Sequence, residues 1–238
     1  MALRNIEFKS KKIDISYEIL NSTKKQNLII LHGWGSNKEI MQQAFSETMK
    51  EYKHIYIDMP GFGKSTNPMV LTTSDYATII DIFLKSLKLD IDIAMGHSFG
   101  GKVATLLNPK YLVLLSSAGI ITKKPWSIKV KIATFKLLKP LGMKKIRELF
   151  SSSDVKGMSH EMYETFKNVV DEDFTSEFKE FKNRAILFWG IEDTATPLYT
   201  GEQINTLIKD SKFYPLDGDH YFFLKHNKSI EKNLLEYL

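Results

Sequence analysis

Short runs of apolar residues recur along the chain and predict strands. They are rich in β-branched and aromatic residues, and several lack strict alternation, which is typical of strands covered on both faces of a largely parallel sheet. The runs occupy residues 27–31, 54–58, 91–95, 111–115, 185–189 and 212–216. Between them, stretches such as 37–52 and 72–88 carry apolar residues at helical spacing behind capping residues. The alternation predicts an α/β fold, a mostly parallel central sheet with helices on both faces.

Two parts of the pattern depart from this alternation. Residues 5–10 and 13–20, separated by a pair of lysines, predict an antiparallel hairpin ahead of the parallel strands. The interval between the strand starts at 111 and 185 is too long for one crossover, and helical periodicity resumes within it. We therefore predict a core at 1–119 and 183–238 and an inserted helical cap, or lid, at 120–182. The cap is expected to cover the carboxyl ends of the strands, where open α/β sheets bind ligands.

Composition narrows the functional classes. The 238 residues favour one domain, and no apolar run long enough for a transmembrane segment or a signal peptide is present, so a cytoplasmic location is expected. The chain has no cysteine, which excludes disulfides, thiolate metal sites and a cysteine nucleophile.

A serine lies between glycines where a predicted strand gives way to a helix. Residues 96–100 read Gly-His-Ser-Phe-Gly and fit the pattern G-x-S-x-G. A sharp strand-to-helix turn needs small flanking residues and holds the central hydroxyl above the edge of the sheet. Ser98 is therefore a candidate nucleophile, with a structural turn as the plainer alternative.

Three further candidates follow other predicted strands. The loop His-Gly-Trp-Gly at 32–35 comes after the strand at 27–31, and it is expected to form an oxyanion hole from the backbone N–H groups of Trp34 and Phe99. Asp193 follows the strand at 185–189, just before Pro197, which is expected in the first turn of the next helix. His220 follows the last predicted strand.

The order Ser98, Asp193, His220 suits nucleophilic catalysis. A serine hydroxyl is a weak nucleophile at neutral pH until an imidazole accepts its proton, and a carboxylate must orient that imidazole. Asp219 is the nearer carboxylate in sequence, but adjacent side chains point apart, so Asp193 is preferred.

These stretches resemble the successive motifs of the α/β-hydrolase superfamily over nearly the whole chain. The matching segments are HGWGSN, DMPGFGKS, GHSFGG, GIEDTATP and GDH. LHGWGSN with IDMPGFGKS is most similar to the branch that contains the pimeloyl-acyl-carrier-protein methyl ester esterases. The resemblance implies the α/β-hydrolase fold and a catalytic triad that needs no metal or organic cofactor. Related dehalogenases and epoxide hydrolases carry Asp at the turn, so serine implies acyl chemistry.

The resulting prediction is a serine carboxylic-ester hydrolase that forms an acyl-enzyme on a small or medium apolar ester. Alternatives are a carbon–carbon bond hydrolase of the ring-cleavage type, a lysophospholipid or thioester hydrolase, and a non-catalytic ligand-binding protein with the same fold. Tentative pocket residues are His32, Trp126 and Phe135.

The basic charge is concentrated in the predicted cap. The net charge is +5, and nine cations with no Asp or Glu lie between Ile120 and Arg147. They include Lys123, Lys124, Lys129 and Lys131. A solvated helix face explains them, and the functional alternatives are docking of an acidic acyl carrier protein or an anionic lipid surface. Nucleic acid is not expected, because no binding motif accompanies the cations.

Other polar residues have structural explanations. His32 and His97 are expected to pack or hydrogen-bond around the site rather than react, and Asp58 is expected to organise a loop. His54 is expected at the surface or in the cap.

Overall fold

The computed structural model describes residues 2–122 and 158–238, and these contain eight strands and seven helices. The strands are β1 (Ala2–Phe8), β2 (Lys11–Leu20), β3 (Asn27–Leu31), β4 (Lys53–Ile57), β5 (Ile93–His97), β6 (Tyr111–Leu115), β7 (Arg184–Gly190) and β8 (Ser211–Leu216). The helices are α1 (Lys38–Phe45), α2 (Thr73–Ser86), α3 (Phe99–Leu106), α4 (His160–Val169), α5 (Thr175–Glu180), α6 (Leu198–Leu207) and α7 (Phe223–Tyr237).

All eight strands form one sheet in the order β1-β2-β4-β3-β5-β6-β7-β8. Strand β2 pairs antiparallel with both β1 and β4, and the other pairs are parallel. The predicted N-terminal hairpin and mostly parallel sheet are thus confirmed. The carboxyl ends of β3 to β8 meet at one edge, which carries the candidate site.

The sheet is covered on both faces, which explains the missing alternation. Every residue of β3 is buried, yet its side chains alternate between two hydrophobic clusters. Ile29 and Leu31 join the cluster that includes apolar residues of α2 and α3. Leu28 and Ile30 join the cluster that includes those of α1 and α7. A strand buried on both sides reads as a continuous apolar run.

Three local predictions are wrong. The helix expected over 37–52 ends at Phe45, and Met49, with a left-handed φ of 46°, lies in the turn that leads into β4. Pro197 immediately precedes α6 instead of lying in its first turn. His54 is fully buried in β4, where its ring nitrogens contact the hydroxyl of Tyr56 and the carbonyl of Met49.

Part of the predicted cap belongs to the described residues. Helix α4 contacts the loop after β4, since Leu71 N donates to Thr165 Oγ1 at 2.9 Å and Asn168 Nδ2 donates to the Leu71 carbonyl at 3.2 Å. Trp126, Phe135 and the lysines at 123, 124, 129 and 131 lie outside the described residues. Within residues 2–122 and 158–238, no helix is long and apolar enough to cross a membrane.

Candidate functional site

The turn between β5 and α3 holds Ser98 in an uncommon backbone conformation. Its φ of 51° is in the left-handed region, which costs a residue with a Cβ about 1–3 kcal/mol. Neighbouring backbone holds the turn, because Ser98 N donates to the Leu115 carbonyl and the Ser98 carbonyl accepts from Gly101 N and Ala118 N, all at 3.0–3.1 Å. Ser98 is only partly buried. The fold thus imposes strain on the one residue of this turn that carries a hydroxyl.

Glycines flank Ser98 because the backbone approaches too closely for side chains. A Cβ at Gly96 would lie 2.2 Å from the Gly100 carbonyl oxygen, and one at Gly100 would lie 2.4 Å from the His32 carbonyl oxygen. The second contact joins the start of α3 to the loop after β3. The glycine spacing predicted from the sequence therefore has a steric cause.

Two hydrogen bonds of a buried, neutral histidine hold the loop after β3. His32 is fully buried, with Nδ1–H donating to the Gly33 carbonyl at 2.7 Å and Nε2 accepting from Met59 N at 3.0 Å. Burial lowers the pKa of His32 to about 4, although the bond to Gly33 opposes this. Both ring nitrogens serve the backbone, so His32 packs the loop and presents neither nitrogen to a pocket.

The carboxylate of Asp58 organises the same loop. It is fully buried and accepts from Lys38 Nζ at 2.8 Å, from Lys38 N at 2.8 Å and from Lys64 N at 3.2 Å. Burial alone would raise the pKa of Asp58, but the donors of Lys38 and Lys64 outweigh it and lower the pKa. This is the loop-organising role that the sequence suggested.

Trp34 lies in an aromatic pocket beside Ser98. Its ring centroid is 4.8 Å from that of Phe62, 5.5 Å from that of Phe99 and 5.4 Å from that of Phe166 on α4. These edge-on and tilted contacts fix the backbone that carries the Trp34 N–H. The N–H of Phe99 lies in the first turn of α3, where helix N–H groups have no intrahelical partner.

His220 and Asp193 form a short hydrogen bond. His220 Nδ1 is 2.7 Å from Asp193 Oδ2, with the carboxylate fully buried and the imidazole 19% exposed. Burial alone would raise the pKa of Asp193, but the bond and charge of His220 and the donors of Thr196 lower it to about 2. An ionised carboxylate at Nδ1 keeps that nitrogen protonated and leaves Nε2 as the acceptor. Asp219, the rival carboxylate, is exposed and accepts from Tyr221 N.

His97 connects the serine turn to the histidine loop. Its Nε2–H donates to the His220 carbonyl at 2.9 Å, and the two ring centroids are 4.5 Å apart. Burial lowers the pKa of His97 well below its ordinary value, and His220 lowers it further, so the ring is neutral. His97 therefore holds the backbone of His220, which is the hydrogen-bonding role expected from the sequence.

A cavity of about 100 Å³ lies beside these residues. Its lining comes from the segments after β6, α4 and β7 and from α6, including Ser117, Ile120, Val170, Thr196 and Thr200. Ser117 follows β6, beside the Ala118 N–H that binds the Ser98 carbonyl. The cavity is thus adjacent to the turn of Ser98. In the described part of the chain, no group of three or more His, Asp or Glu side chains is arranged to hold a metal.

Sequence reasoning missed two polar residues at the site. Thr196 contacts both oxygens of Asp193, and Lys102 of α3 is buried against Glu172, which follows α4. The spacing of Asp193 and Thr196 is a usable signal for Thr196, since an Asp side chain often accepts from the backbone N–H groups two or three residues later in the chain. A lysine within a helix gives no comparable signal.

Known proteins match this chain in sequence and in fold. A family model described as the alpha/beta hydrolase fold matches residues 26–117. An uncharacterized hydrolase of Bacillus subtilis (strain 168), YugF, is 22% identical over 86% of this chain and 86% of its own length. An esterase from Exiguobacterium antarcticum, EaEST, superimposes with a TM-score of 0.74 at 22% identity, over 94% of this chain and 95% of that one.

The chain has the α/β-hydrolase fold, and its residues 26–117 match the model of that fold. The predicted fold and the assignment of the protein as a hydrolase are thus confirmed. A pimeloyl-[acyl-carrier protein] methyl ester esterase of Vibrio campbellii (strain ATCC BAA-1116) is 31% identical over 42% of this chain. The match spans only 41% of that esterase, so its activity bears on this protein only as a proposal.

Proposed function

We propose that the protein is a serine carboxylic-ester hydrolase in which Ser98, His220 and Asp193 form the catalytic triad. The observation that carries this proposal is the 2.7 Å bond between His220 Nδ1 and Asp193 Oδ2, on the loops after β8 and β7, beside the strained turn of Ser98. The esterases among the similar proteins support the same reaction class.

The reaction follows from the protonation states of these groups. Ser98 Oγ attacks the ester carbonyl carbon while its proton passes to His220 Nε2, and the imidazolium is stabilised by Asp193. The backbone N–H groups of Trp34 and Phe99 bind the oxyanion. His220 returns the proton to the departing alkoxide, which leaves as the alcohol. Water activated by His220 then hydrolyses the acyl-enzyme and regenerates Ser98.

Substitution of the serine tests the proposal directly. We expect wild-type protein to hydrolyse p-nitrophenyl acetate and butyrate, and Ser98→Ala to lose at least about a thousandfold in kcat. A fluorophosphonate probe should add to the Ser98 peptide, which mass spectrometry detects. Equal rates for the two proteins would exclude Ser98 from the mechanism. Binding of esters without this adduct would indicate a ligand-binding protein instead.

The finer proposal is that the natural ester is linked to an acyl carrier protein. Its support is the run of cations between Ile120 and Arg147, together with the esterase name of the Vibrio relative. Charge reversal at Lys123, Lys124 and Lys129 should then slow hydrolysis of a carrier-linked methyl ester and spare the p-nitrophenyl ester. Equal losses on both substrates would rule out carrier docking through these lysines.

A further inference from the structure

The carboxylate of Asp193 accepts four hydrogen bonds, and Thr196 supplies two of them. Asp193 Oδ1 accepts from Ala195 N at 2.8 Å and from Thr196 N at 2.9 Å. Asp193 Oδ2 accepts from His220 Nδ1 at 2.7 Å and lies 2.8 Å from Thr196 Oγ1. One threonine thus contacts both oxygens of the carboxylate, through its backbone and its hydroxyl.

Thr196 is itself held on two sides. The indole Nε1–H of Trp189, which is fully buried in β7, donates to the Thr196 carbonyl at 2.7 Å. On the other side, Thr196 Oγ1 is 3.1 Å from the Ser116 carbonyl at the end of β6. The residue therefore connects the loops after β6 and β7, and its donors have little freedom to move.

The Thr196 hydroxyl also lies 3.4 Å from His220 Nδ1, but that nitrogen carries its own proton, so the single proton of the hydroxyl has two acceptors to choose from. Asp193 Oδ2 is ionised and nearer than the neutral Ser116 carbonyl, 2.8 Å against 3.1 Å. Charge-assisted hydrogen bonds are shorter and about twice as strong as neutral ones. The Thr196 hydroxyl therefore donates to the oxygen that also accepts from His220.

We propose that Thr196 is a positioning residue for the triad, whose hydroxyl and N–H together fix the Asp193 carboxylate toward His220. This inference rests on the proposed function. Without the hydroxyl, Oδ2 would have His220 as its one donor, and the carboxylate could rotate about its side-chain torsion. Its charge would then be shared with fewer donors, which favours the protonated form of the imidazole.

The surroundings of His220 define what a pH profile would report. The titratable groups that face its ring are Asp193 from the loop after β7 and His97 from β5. Asp219 and Tyr221 are its chain neighbours, and the ring of Tyr221 is 5.7 Å from that of His220. Since His97 is neutral and Asp219 is exposed, Asp193 is the charged group that the Thr196 hydroxyl modifies.

Two variants separate the hydroxyl from the shape of the side chain. Thr196→Val keeps the branched shape and the backbone N–H, whereas Thr196→Ser keeps the hydroxyl. With p-nitrophenyl acetate we expect Val to lower kcat about tenfold with little change in KM, and to move the acid limb of kcat/KM up by about half a pH unit. Thr196→Ser should keep most of the wild-type kcat and a pH profile close to that of the wild type. Thermal melts of both variants check that they fold.

A spectroscopic readout keeps the inference independent of turnover. The Nδ1–H proton of His220, assigned in NMR spectra by its absence in His220→Gln, should change its shift in Thr196→Val and keep it in Thr196→Ser. The role of the hydroxyl would be overturned if Thr196→Val and Thr196→Ser lowered kcat equally. It would also be overturned if Thr196→Val kept the wild-type kcat, pH profile and proton shift. If Ser98→Ala were as active as wild type, the proposed function would fail, and this proton shift would still decide the role of Thr196.

Discussion

At the scale of single residues, the turn at Ser98 combines a strained φ with the hydroxyl that we propose as the nucleophile. A φ of 51° is ordinary for glycine and costly for residues with a Cβ. The surrounding glycines leave no room for relaxation, since added Cβ atoms at Gly96 and Gly100 would lie within 2.5 Å of backbone oxygens. The fold therefore keeps a destabilising residue where glycine would fit better.

This strain predicts an inverted order of stability at position 98. At an exposed position inside a helix, such as Thr78 of α2, Ala should be more stable than Gly by about 1 kcal/mol. At position 98, Ala retains the strained Cβ. The free energy of unfolding of Ser98→Gly should therefore be equal to that of Ser98→Ala or higher by up to about 1 kcal/mol. Urea denaturation of both pairs measures the difference. If the Ala variant were more stable than the Gly variant by the same amount at positions 78 and 98, the turn at Ser98 would store no strain.

At the scale of elements, a buried ion pair joins α3 to the segment after α4. Lys102 is 1% exposed, and its Nζ donates to the Val169 carbonyl at 2.7 Å and to Glu172 Oε2 at 2.8 Å. The ammonium also lies 4.9 Å from the ring centroid of Phe174, and Thr73 of α2 donates to Glu172. Burial lowers the pKa of Lys102, and Glu172 opposes that shift. The helix that begins at the Ser98 turn is thus attached to the described part of the predicted cap.

Substitutions of Glu172 and Lys102 should lower the free energy of unfolding by different amounts. Glu172→Gln leaves a buried ammonium without its carboxylate, and we expect a loss of about 3 kcal/mol in the free energy of unfolding. Lys102→Met removes the buried charge and leaves a carboxylate that is 31% exposed, so the loss should be nearer 1 kcal/mol. Denaturant unfolding of both single variants and the double variant measures the coupling.

An exposed pair in α2 gives the matched control. Lys85 and Asp81 are 73% and 36% exposed, so Lys85→Met should change the free energy of unfolding by less than about 0.5 kcal/mol. The buried pair would be contradicted if Lys102→Met and Lys85→Met lowered the free energy of unfolding equally and the double variant showed no coupling between Lys102 and Glu172.

Elements of the core could be predicted from sequence because burial on both faces leaves a strong apolar signal. The strands that precede Ser98, Asp193 and His220 can be predicted in this way, within two residues at their starts. The helix at 37–52 was extended too far because Met49 and Tyr52 remain buried after the chain has left the helix. Lys102 was missed for a related reason: sequence patterns treat a helical lysine as solvated, and only tertiary contacts bury it.

At the scale of the whole molecule, the parallel sheet gathers the site from five strands. The turns after β3, β4, β5, β7 and β8 supply His32, Asp58, Ser98, Asp193 and His220. Hydrogen bonds of buried side chains, such as His32, Asp58 and His97, hold these loops, so the candidate site depends on the integrity of the sheet. Several of these bonds use histidines in their neutral form, and the stability of the fold therefore depends on pH.

The buried histidines predict that the protein loses stability on acidification. His32 has an ordinary pKa of 6.5, and burial lowers it to about 4 in the fold. Between these values the unfolded chain binds the proton and the folded chain does not, so the free energy of unfolding falls as pH drops from 6.5 to 4. Burial lowers the pKa of His54 and His97 too, which adds to the loss. Asp193, with its pKa lowered from 3.8 to about 2, extends the loss below pH 4.

Removing the titrating ring should flatten this dependence. The shift of His32 corresponds to about 3 kcal/mol between pH 7 and 4, because each pKa unit is worth about 1.4 kcal/mol. His32→Gln and His32→Asn should be less stable at pH 7, since neither amide side chain keeps both ring contacts, to the Gly33 carbonyl and to Met59 N, but should lose about 3 kcal/mol less than wild type by pH 4. His160→Gln, at the exposed start of α4, should retain the wild-type slope. Urea midpoints at several pH values give the slopes. The 3.0 Å bond from Met59 N requires an unprotonated Nε2 on His32. If the slope of stability against pH were the same in wild type and in both His32 variants, the proton that destabilises the fold would bind elsewhere.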